Sequence, residues 1–464
     1  MSKIKFGTDG WRAIIAKEYT VTNLERVAIA TAEWVIKNNN GTPRIVIGHD
    51  CRFGGEMFLQ AAAAIFADKG IEVIAAKGFV STPMVSLATK EFNAQIGVVI
   101  TASHNPPSYN GFKLKAHFGG PASPAVIEEV EDLIPAATPS KLDQYEALVE
   151  AGKIEYKDLE GIYCDMIEKS FDMDAIRTLK FGYDAMYGAG QNVVKRLFPD
   201  AFKLHCDHNP SFRGQAPEPI HKNLLEFSKA LKDNSELQVG FANDGDADRI
   251  GMYDGDGEFV DSHHIILLLI HYLCNYKKLS GKIVVAFSVT EKIVELCKHY
   301  GLDLEITKIG FKYIAEKMTV EDVLVGGEES GGIAVGNFIP ERDGIFIALT
   351  IMEFMAKTGK SINDLIQEVY AITGSFSYSR DDLHITEELK QSIIQKCKDG
   401  KYQAFGDYPI KHVKTIDGFK FFISDDEWIM IRPSGTEPVL RVYCEAENAT
   451  KVRTILDQVA ETIL

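Results

Sequence analysis

Ile96-Gly97-Val98-Val99-Ile100-Thr101-Ala102-Ser103-His104-Asn105-Pro106-Pro107 passes from an unbroken apolar run into a serine-bearing loop. Such a run without polar alternation predicts a buried strand, which puts Ser103 where the strand's carboxyl end opens into a loop. Pro106 and Pro107 fix φ and withhold two backbone donors, so the loop is stiff. A serine hydroxyl is a weak nucleophile by itself. Here His104 lies beside it and Lys113 at the far end of the same loop, two groups able to move a proton or offset negative charge. Taken alone, the stretch reads equally well as a proline-stabilised turn carrying a surface serine.

Outward from this loop, strand and helix patterns alternate. Leu24, Val27, Ala28, Thr31 and Val35 recur at helical spacing, residues 44–48 predict a strand ending in His49-Asp50, 56–69 a helix stopped by Gly70, and 71–76 another strand. That alternation predicts an α/β domain with the serine loop at a strand end. Residues 121–140, with several prolines and small residues, predict a linker. Strands at 180–184 and 239–242 around a helix at 190–197 predict a second α/β unit. Helices at 265–274, 291–299, 345–357 and 362–371 with strands at 282–287 and 323–326 predict a third. From about Thr373 short strands at 376–385, 410–416, 419–424, 428–432 and 440–446, with helices at 387–398 and 451–463, predict an α+β domain on a mostly antiparallel sheet.

A chain of 464 residues exceeds what one core serves, which agrees with several domains. Fifty basic against 66 acidic side chains leave a net charge of −16 with no basic run, so a nucleic-acid partner is not expected. The apolar run 265–270 is too short to span a bilayer, and the first residues lack a secretory leader pattern, so no membrane partner is expected. Seven cysteines without a Cys-x-x-Cys pair point to the reducing cytoplasm.

Four further stretches carry chemistry. Phe6-Gly7-Thr8-Asp9-Gly10-Trp11-Arg12 offers two turn-permitting glycines around an anion ligand, Arg12, or is simply a hairpin turn. Asp244-Gly245-Asp246-Ala247-Asp248-Arg249 sets three carboxylates at alternate positions, and hard oxygen donors without His or Cys suit Mg²⁺. Arg249 and Gly255 stand where an EF-hand needs Gly and Glu, and a solvated acidic turn is the plainer alternative. The similar Asp254-Gly255-Asp256-Gly257, between Tyr253 and Phe259, reads as a hairpin turn. Gly326-Gly327-Glu328-Glu329-Ser330-Gly331-Gly332 lets backbone approach a ligand beside groups that bind hydroxyls, or is a flexible turn. Arg432-Pro433-Ser434-Gly435-Thr436-Glu437-Pro438 combines a guanidinium, two hydroxyls and turn amides, a cradle for a phosphate dianion or a strand-to-turn connection.

In this order, Thr-Ala-Ser-His-Asn-Pro with Asn-Gly-Phe-Lys, Asp-Gly-Asp-Ala-Asp-Arg, Gly-Glu-Glu-Ser-Gly-Gly and Arg-Pro-Ser-Gly-Thr-Glu-Pro resemble the signature loops of the α-D-phosphohexomutase superfamily across nearly the whole chain. The resemblance implies three similar α/β domains with mixed sheets plus a C-terminal α+β domain, arranged around a central cleft. The expected boundaries are 1–140 with the serine loop, 150–252 with the metal loop, 253–370 with the sugar loop and 373–464 with the phosphate loop. It also implies that Ser103 carries a phosphoryl group, that Asp244, Asp246 and Asp248 bind Mg²⁺ together with Ser103, and that Arg12, His104, Lys113 and Arg249 surround the transferring group. Glu328, Ser330, Lys312 and Arg342 would meet the sugar, and Arg432, Ser434, Gly435 and Thr436 the phosphate that is not reacting.

The implied enzyme is an isomerase that moves a phosphoryl group between O1 and O6 of a hexose phosphate, with a hexose 1,6-bisphosphate as activator. Gly332 stands where members acting on mannose or glucosamine phosphates tend to carry His, so glucose is the expected sugar. Mannose or dual preference comes next and glucosamine third. A monomer or weak homodimer is expected. Two other classes remain open at this level: a catalytically idle sugar-phosphate sensor and a metal-dependent phosphatase.

Overall fold

The computed structural model describes residues 4–7, 9–39, 41–433 and 439–464. Backbone contacts divide the chain into one unit of residues 1–282 and 310–365 and another of residues 283–309 and 366–464. No helix among the described residues is long and apolar enough to cross a membrane.

The first unit opens with β1 (Trp11–Ile14), α1 (Val21–Lys37), β2 (Arg44–His49), α2 (Gly55–Asp68), β3 (Glu72–Ala76), α3 (Thr82–Glu91), β4 (Ile96–Ile100), β5 (Tyr109–Ala116), β6 (Gly120–Pro121), α4 (Pro124–Asp132), α5 (Tyr145–Glu150) and β7 (Ile154–Lys157). The Thr20 hydroxyl accepts the Asn23 N–H and so starts α1, whose buried face includes Leu24, Val27, Ala28, Thr31 and Val35, the positions that recur in the sequence. All five residues of β4 are buried, as expected of a strand covered on both faces. The strands run in the order β1-β5-β4-β2-β3-β7, with β6 on β5. β4, β2, β3 and β7 pair in parallel, whereas β5 joins β4, β1 and β6 antiparallel.

Two expectations are corrected here. Lys113 is not in a loop but on β5, opposite Val99 of β4, so the connection that carries Ser103 ends at Ser108. Residues 121–140 contain α4, which Ser123 caps and Pro124 begins, so these prolines start a helix as well as break one.

The chain continues through α6 (Leu159–Ser170), α7 (Met173–Arg177), β8 (Phe181–Asp184), α8 (Gln191–Leu197), β9 (Phe202–Leu204), α9 (Leu225–Asp233), β10 (Val239–Asn243), β11 (Ile250–Asp254) and β12 (Phe259–Val260). The sheet order is β12-β11-β10-β8-β9, with β9, β8 and β10 parallel and β11 and β12 folded back antiparallel. The acidic turn Asp244–Asp248 thus lies at the carboxyl end of a central strand, the usual place for a ligand in an open α/β sheet. Asp254-Gly255-Asp256-Gly257 is the hairpin between β11 and β12.

α10 (Ser262–His271) is almost wholly buried and widens into a π turn at Tyr272–Tyr276. β13 (Lys282–Ala286) and β14 (Leu304–Thr307), on either side of α11 (Lys292–Tyr300), pair in parallel. The first unit resumes with α12 (Phe311–Val320), the antiparallel pair β15 (Val323–Gly327) and β16 (Ile333–Val335), and α13 (Gly344–Thr358). After α14 (Ile362–Thr373) come β17 (Ser377–His384), α15 (Glu387–Lys398), β18 (Ala404–Phe405), β19 (Tyr408–Pro409), β20 (His412–Lys414), β21 (Phe419–Phe422), β22 (Trp428–Pro433), β23 (Val439–Ala446) and α16 (Ala449–Ile463). An antiparallel sheet in the order β17-β23-β22-β21-β20 buries Ile429, Ile431, Val442 and Cys444 with Ile455 and Val459 of α16, the α+β texture read from the sequence.

Candidate active site

Ser103 leaves β4 with φ +52, a left-handed backbone that a serine seldom adopts. Its N–H donates to Thr101 Oγ1 at 2.9 Å, and its hydroxyl donates to Asp244 Oδ2 at 2.7 Å. His104 Nδ1 is 3.3 Å from the same hydroxyl. Burial, together with the nearby Arg249, Arg12 and Lys113 charges, pushes the His104 imidazole well below its ordinary range and so favours the neutral form.

The turn from β10 to β11 buries Asp244, Asp246 and Asp248 completely. One carboxylate oxygen from each falls in a group whose members lie within 4.8 Å of one another. Asp246 Oδ2 accepts from Thr82 Oγ1 at 2.5 Å and Lys113 Nζ at 2.8 Å, and Asp248 Oδ2 from Lys113 at 3.1 Å and Arg342 at 2.6 Å. Asp246 Oδ1 and Asp248 Oδ1 are buried and have no hydrogen-bond partner among the described residues. Orphaned hard acceptors beside a third carboxylate fit a divalent cation such as Mg²⁺. Burial and the charges of Asp246 and Asp248 push Asp244 well above its ordinary range. Burial opposes ionisation of Asp246 too, but Lys113 outweighs it and holds that carboxyl low.

The cations are organised by Asp9, whose Oδ2 lies 2.6 Å from Arg342, 2.8 Å from Lys113 and 3.3 Å from Arg12. Burial disfavours its charge, yet Arg342, Lys113, Lys115 and Arg12 together keep it well below the usual carboxylate range. Arg12 also donates to Asn105 Oδ1 at 2.7 Å, next to the serine. The pairing of β1 with β5, Arg12 opposite Gly111, delivers Asp9 and Arg12 to this place. Arg249 N–H donates to Asp244 Oδ1 at 3.0 Å, and its guanidinium lies 3.4 Å from Glu218.

The glycine-rich stretch is stitched to the acidic turn: Arg249 forms a β-bridge with Gly332, and Ile250 N–H donates to the Gly331 carbonyl at 3.1 Å. Glu328 accepts from Gly310 N–H at 2.8 Å, and burial pushes its carboxyl up to about 7 against the pull of Arg342. Ser330 is half-buried on the same turn, and Lys312 lies over the Tyr313 ring at 5.4 Å. In the second unit Arg432 is held by Asp417, with Nε 3.1 Å from one oxygen and a terminal nitrogen 3.3 Å from the other. Ser434, Gly435 and Thr436 lie outside the described residues.

The structure therefore gathers Arg12, Ser103, His104, Lys113, the three aspartates, Arg249 and Arg342. It adds residues to which the sequence patterns gave no role: Asp9, Thr82, and the Asp50–Arg52 pair beneath the serine loop. Asp9 stood inside the Gly-x-Asp-Gly stretch noted for its arginine, and Asp50 at the end of a strand already recognised. Their partners lie far away in sequence, which hid their purpose.

Residues 3–141, 162–257 and 261–372 match the alpha/beta/alpha domains I, II and III of phosphoglucomutase/phosphomannomutase, and residues 393–462 its C-terminal domain. The chain is 28% identical over 458 residues to a phosphoglucomutase/phosphomannomutase of Thermococcus kodakarensis, covering 97% of this chain and 96% of the relative. It is 30% identical over 455 residues to a probable phosphoglucosamine mutase of Pyrococcus furiosus, covering 97% and 95%. A crystal structure of a candidate phosphomannomutase from Thermus thermophilus superposes with a TM-score of 0.86 at 31% identity, over 100% of this chain and 99% of that one. More distantly, at 15% identity and a TM-score of 0.58 over 100% and 96%, the fold matches an N-acetylphosphoglucosamine mutase of Aspergillus fumigatus solved with GlcNAc-6P and magnesium. With four domain matches in the order of its four loops, the chain belongs to the phosphoglucomutase/phosphomannomutase family of the α-D-phosphohexomutase superfamily, whose members are isomerases.

Proposed function

We propose that this chain interconverts glucose 1-phosphate and glucose 6-phosphate, with Ser103 as phosphoryl carrier and glucose 1,6-bisphosphate as intermediate and activator. The observation that carries the proposal is the Ser103 hydroxyl donating at 2.7 Å to one member of a buried aspartate triad in which two carboxylate oxygens lack a hydrogen-bond partner among the described residues. Asp244, Asp246 and Asp248 with Ser103 would hold Mg²⁺, an ion present in the distant Aspergillus structure. When bound, the ion draws negative charge from the phosphoryl oxygens.

The phosphoryl–oxygen bond at Ser103 Oγ breaks as a bond to the free sugar hydroxyl forms. The bisphosphate turns within the site, and its other phosphoryl group returns to Ser103, so the enzyme ends each cycle phosphorylated. Arg12, Lys113 and Arg249 offset charge on the equatorial oxygens, a task of electrostatics and positioning. His104, neutral and 3.3 Å from Oγ, is placed to take or return a proton there. Glu328, Ser330, Lys312 and Arg342 would recognise the sugar, and Arg432, Ser434, Gly435 and Thr436 would cradle a phosphate. Seven cysteines, none in a disulfide among the described residues, support a reducing compartment such as the cytoplasm.

Glucose is favoured by Gly332. A Cβ there would meet Arg342 Cδ at 2.5 Å and Glu328 Oε2 at 3.4 Å, so a larger residue at this position would displace Arg342 from Asp9 and Asp248. Glucosamine phosphate is the second reading, favoured by the name of the Pyrococcus furiosus relative. The test supplies Mg²⁺, a trace of glucose 1,6-bisphosphate and, in parallel, the 1-phosphates of glucose, mannose and glucosamine. The highest kcat/KM is expected for glucose, with the 6-phosphate as product. A higher kcat/KM for another sugar reassigns the substrate, release of free phosphate alone makes the protein a phosphatase, and binding without turnover makes it a sensor.

A further inference from the structure

We propose that Arg52, held by Asp50 and roofed by Phe212, is a positioning residue that keeps Ser103 in its left-handed conformation with the hydroxyl directed at Asp244. The proposal rests on the reading of Ser103 as phosphoryl carrier. Arg52 has a side chain without solvent exposure, and all five of its side-chain N–H donors are used. Nε donates to Asp50 Oδ2 at 3.2 Å. One terminal nitrogen donates to the carbonyls of Pro106 and Tyr109 at 3.0 and 3.2 Å. The other donates to those of Ser103 and of Asn105, the latter at 2.8 Å.

Three carbonyls of the serine loop and that of Tyr109, the first residue of β5, converge on a single planar group, a geometry that a lysine's point charge does not reproduce. Asp50 closes the circuit from the other side. Its Oδ2 accepts the Thr101 hydroxyl at 2.5 Å, and Thr101 Oγ1 in turn accepts the Ser103 N–H at 2.9 Å. The N–H of Ser103 is thus tied through Thr101 to Asp50, and its carbonyl to Arg52. A residue held at φ +52 persists only where its surroundings over-determine it, and such conformations concentrate at functional sites. Without the two ties the backbone at Ser103 relaxes toward ordinary angles, and the hydroxyl leaves Asp244.

The roof comes from a distant stretch of the chain. The Phe212 ring lies 5.0 Å from the Arg52 guanidinium, and Phe212 itself is buried against Cys51, Tyr187 and Ala189. Phe212 and Arg213 both have left-handed backbone, φ +46 and +50, so the turn that presents this ring is itself held in an unusual shape. The ring fills the open face of a guanidinium whose edges are saturated, and so excludes water from the loop carbonyls.

The test compares the native enzyme with Arg52→Met, Arg52→Ala and Phe212→Leu. Intact mass with peptide mapping after incubation with glucose 1,6-bisphosphate reports phosphate on Ser103, and steady-state kinetics separate kcat from KM. In Arg52→Met, kcat should fall about 100-fold with KM within about threefold, since a misplaced reacting atom costs rate rather than substrate binding. Low millimolar guanidinium should restore at least about tenfold of the activity lost by Arg52→Ala, which a merely structural role would not allow. If Arg52→Met does not fold, Phe212→Leu carries the test: its kcat should drop about threefold to tenfold at unchanged KM. A kcat within about twofold of native in the folded Arg52→Met protein, or in Phe212→Leu where Arg52→Met fails to fold, overturns the clamp. A native enzyme that never acquires phosphate on Ser103 overturns the carrier reading instead, and the clamp falls with it.

Discussion

Ser103 combines a buried hydroxyl, a left-handed backbone and a buried carboxylate acceptor, and the acceptor comes from a distant stretch of chain. Ser103→Ala should therefore lower kcat by at least about a thousandfold while leaving the Kd for hexose phosphate, measured by calorimetry, within a few-fold. Substantial residual turnover would move the carrier role to another atom. The three aspartates were legible beforehand because their alternate spacing has few structural uses, whereas Asp9 and Arg52 were not, because neither means anything until β1 or the serine loop is folded against it. Glu445 on β23 was equally silent. Burial pushes its carboxyl from the ordinary 4.5 up to about 7, against Thr290 and Lys420. Between those values the folded protein holds a proton that the unfolded chain releases, so the stability from this group is complete below 4.5 and lost as the pH rises to 7. Glu445→Gln removes that loss: relative to native, its unfolding free energy should rise by about 3 kcal/mol between about pH 4.5 and about pH 8, read from paired denaturant titrations. An equal gap at both values would mean that the carboxyl titrates normally.

At the scale of elements, β5 explains both a misreading and a stability device. Asn110-Gly111 looks like turn chemistry, and the lysines at 113 and 115 look like solvent-facing residues, so the stretch reads as loop. In the sheet those two lysines share one face by the strand's period of two, and both are buried because each meets carboxylates. Lys115 Nζ lies 2.7 Å from Glu341 Oε2, which also accepts the Ser86 hydroxyl of α3 at 2.8 Å. The bond ties β5 and α3 to the turn carrying Arg342 and to Asp343, the N-cap of α13. Breaking a buried pair leaves an uncompensated charge, so Lys115→Met alone should cost about 3–5 kcal/mol of unfolding free energy. The double variant Lys115→Met with Glu341→Leu should be more stable than Lys115→Met, because no charge is left stranded. Strictly additive losses would show that the two side chains are not energetically coupled. Strands with alternating or unbroken apolar patterns were readable from sequence; this one was hidden because lysines stand among its buried residues.

For the molecule as a whole, the order of the signature loops was visible in the sequence, but not which of them meet. In the first unit three do: the serine loop bonds the acidic turn, and the acidic turn is bridged to the glycine-rich stretch. The outcome is three buried carboxylates, two of which Lys113 and Arg342 partly neutralise, in a chain already carrying a net charge of −16. The look-alike turn shows what this implies. At Asp254 one oxygen accepts the N–H groups of Asp256 and Glu258 at 3.0 and 2.8 Å and the other accepts Asn363 Nδ2 at 2.7 Å, so that carboxylate is satisfied without an ion. Asp246 and Asp248 each keep an oxygen that no described residue satisfies. A cation that binds the folded triad and not the unfolded chain must stabilise the fold by mass action, by about 2.7 kcal/mol at a free concentration of 100 times its Kd. Mg²⁺ should accordingly raise the midpoint of thermal or urea unfolding in a concentration-dependent way, and EDTA should reverse the shift. Asp246→Asn should abolish it, while Asp256→Asn, at the exposed tip of the other acidic turn, should leave it intact. A shift that survives Asp246→Asn and disappears in Asp256→Asn would place the ion at the wrong turn, and no shift in the native protein would leave the buried triad to be balanced by protein cations such as Lys113 and Arg342.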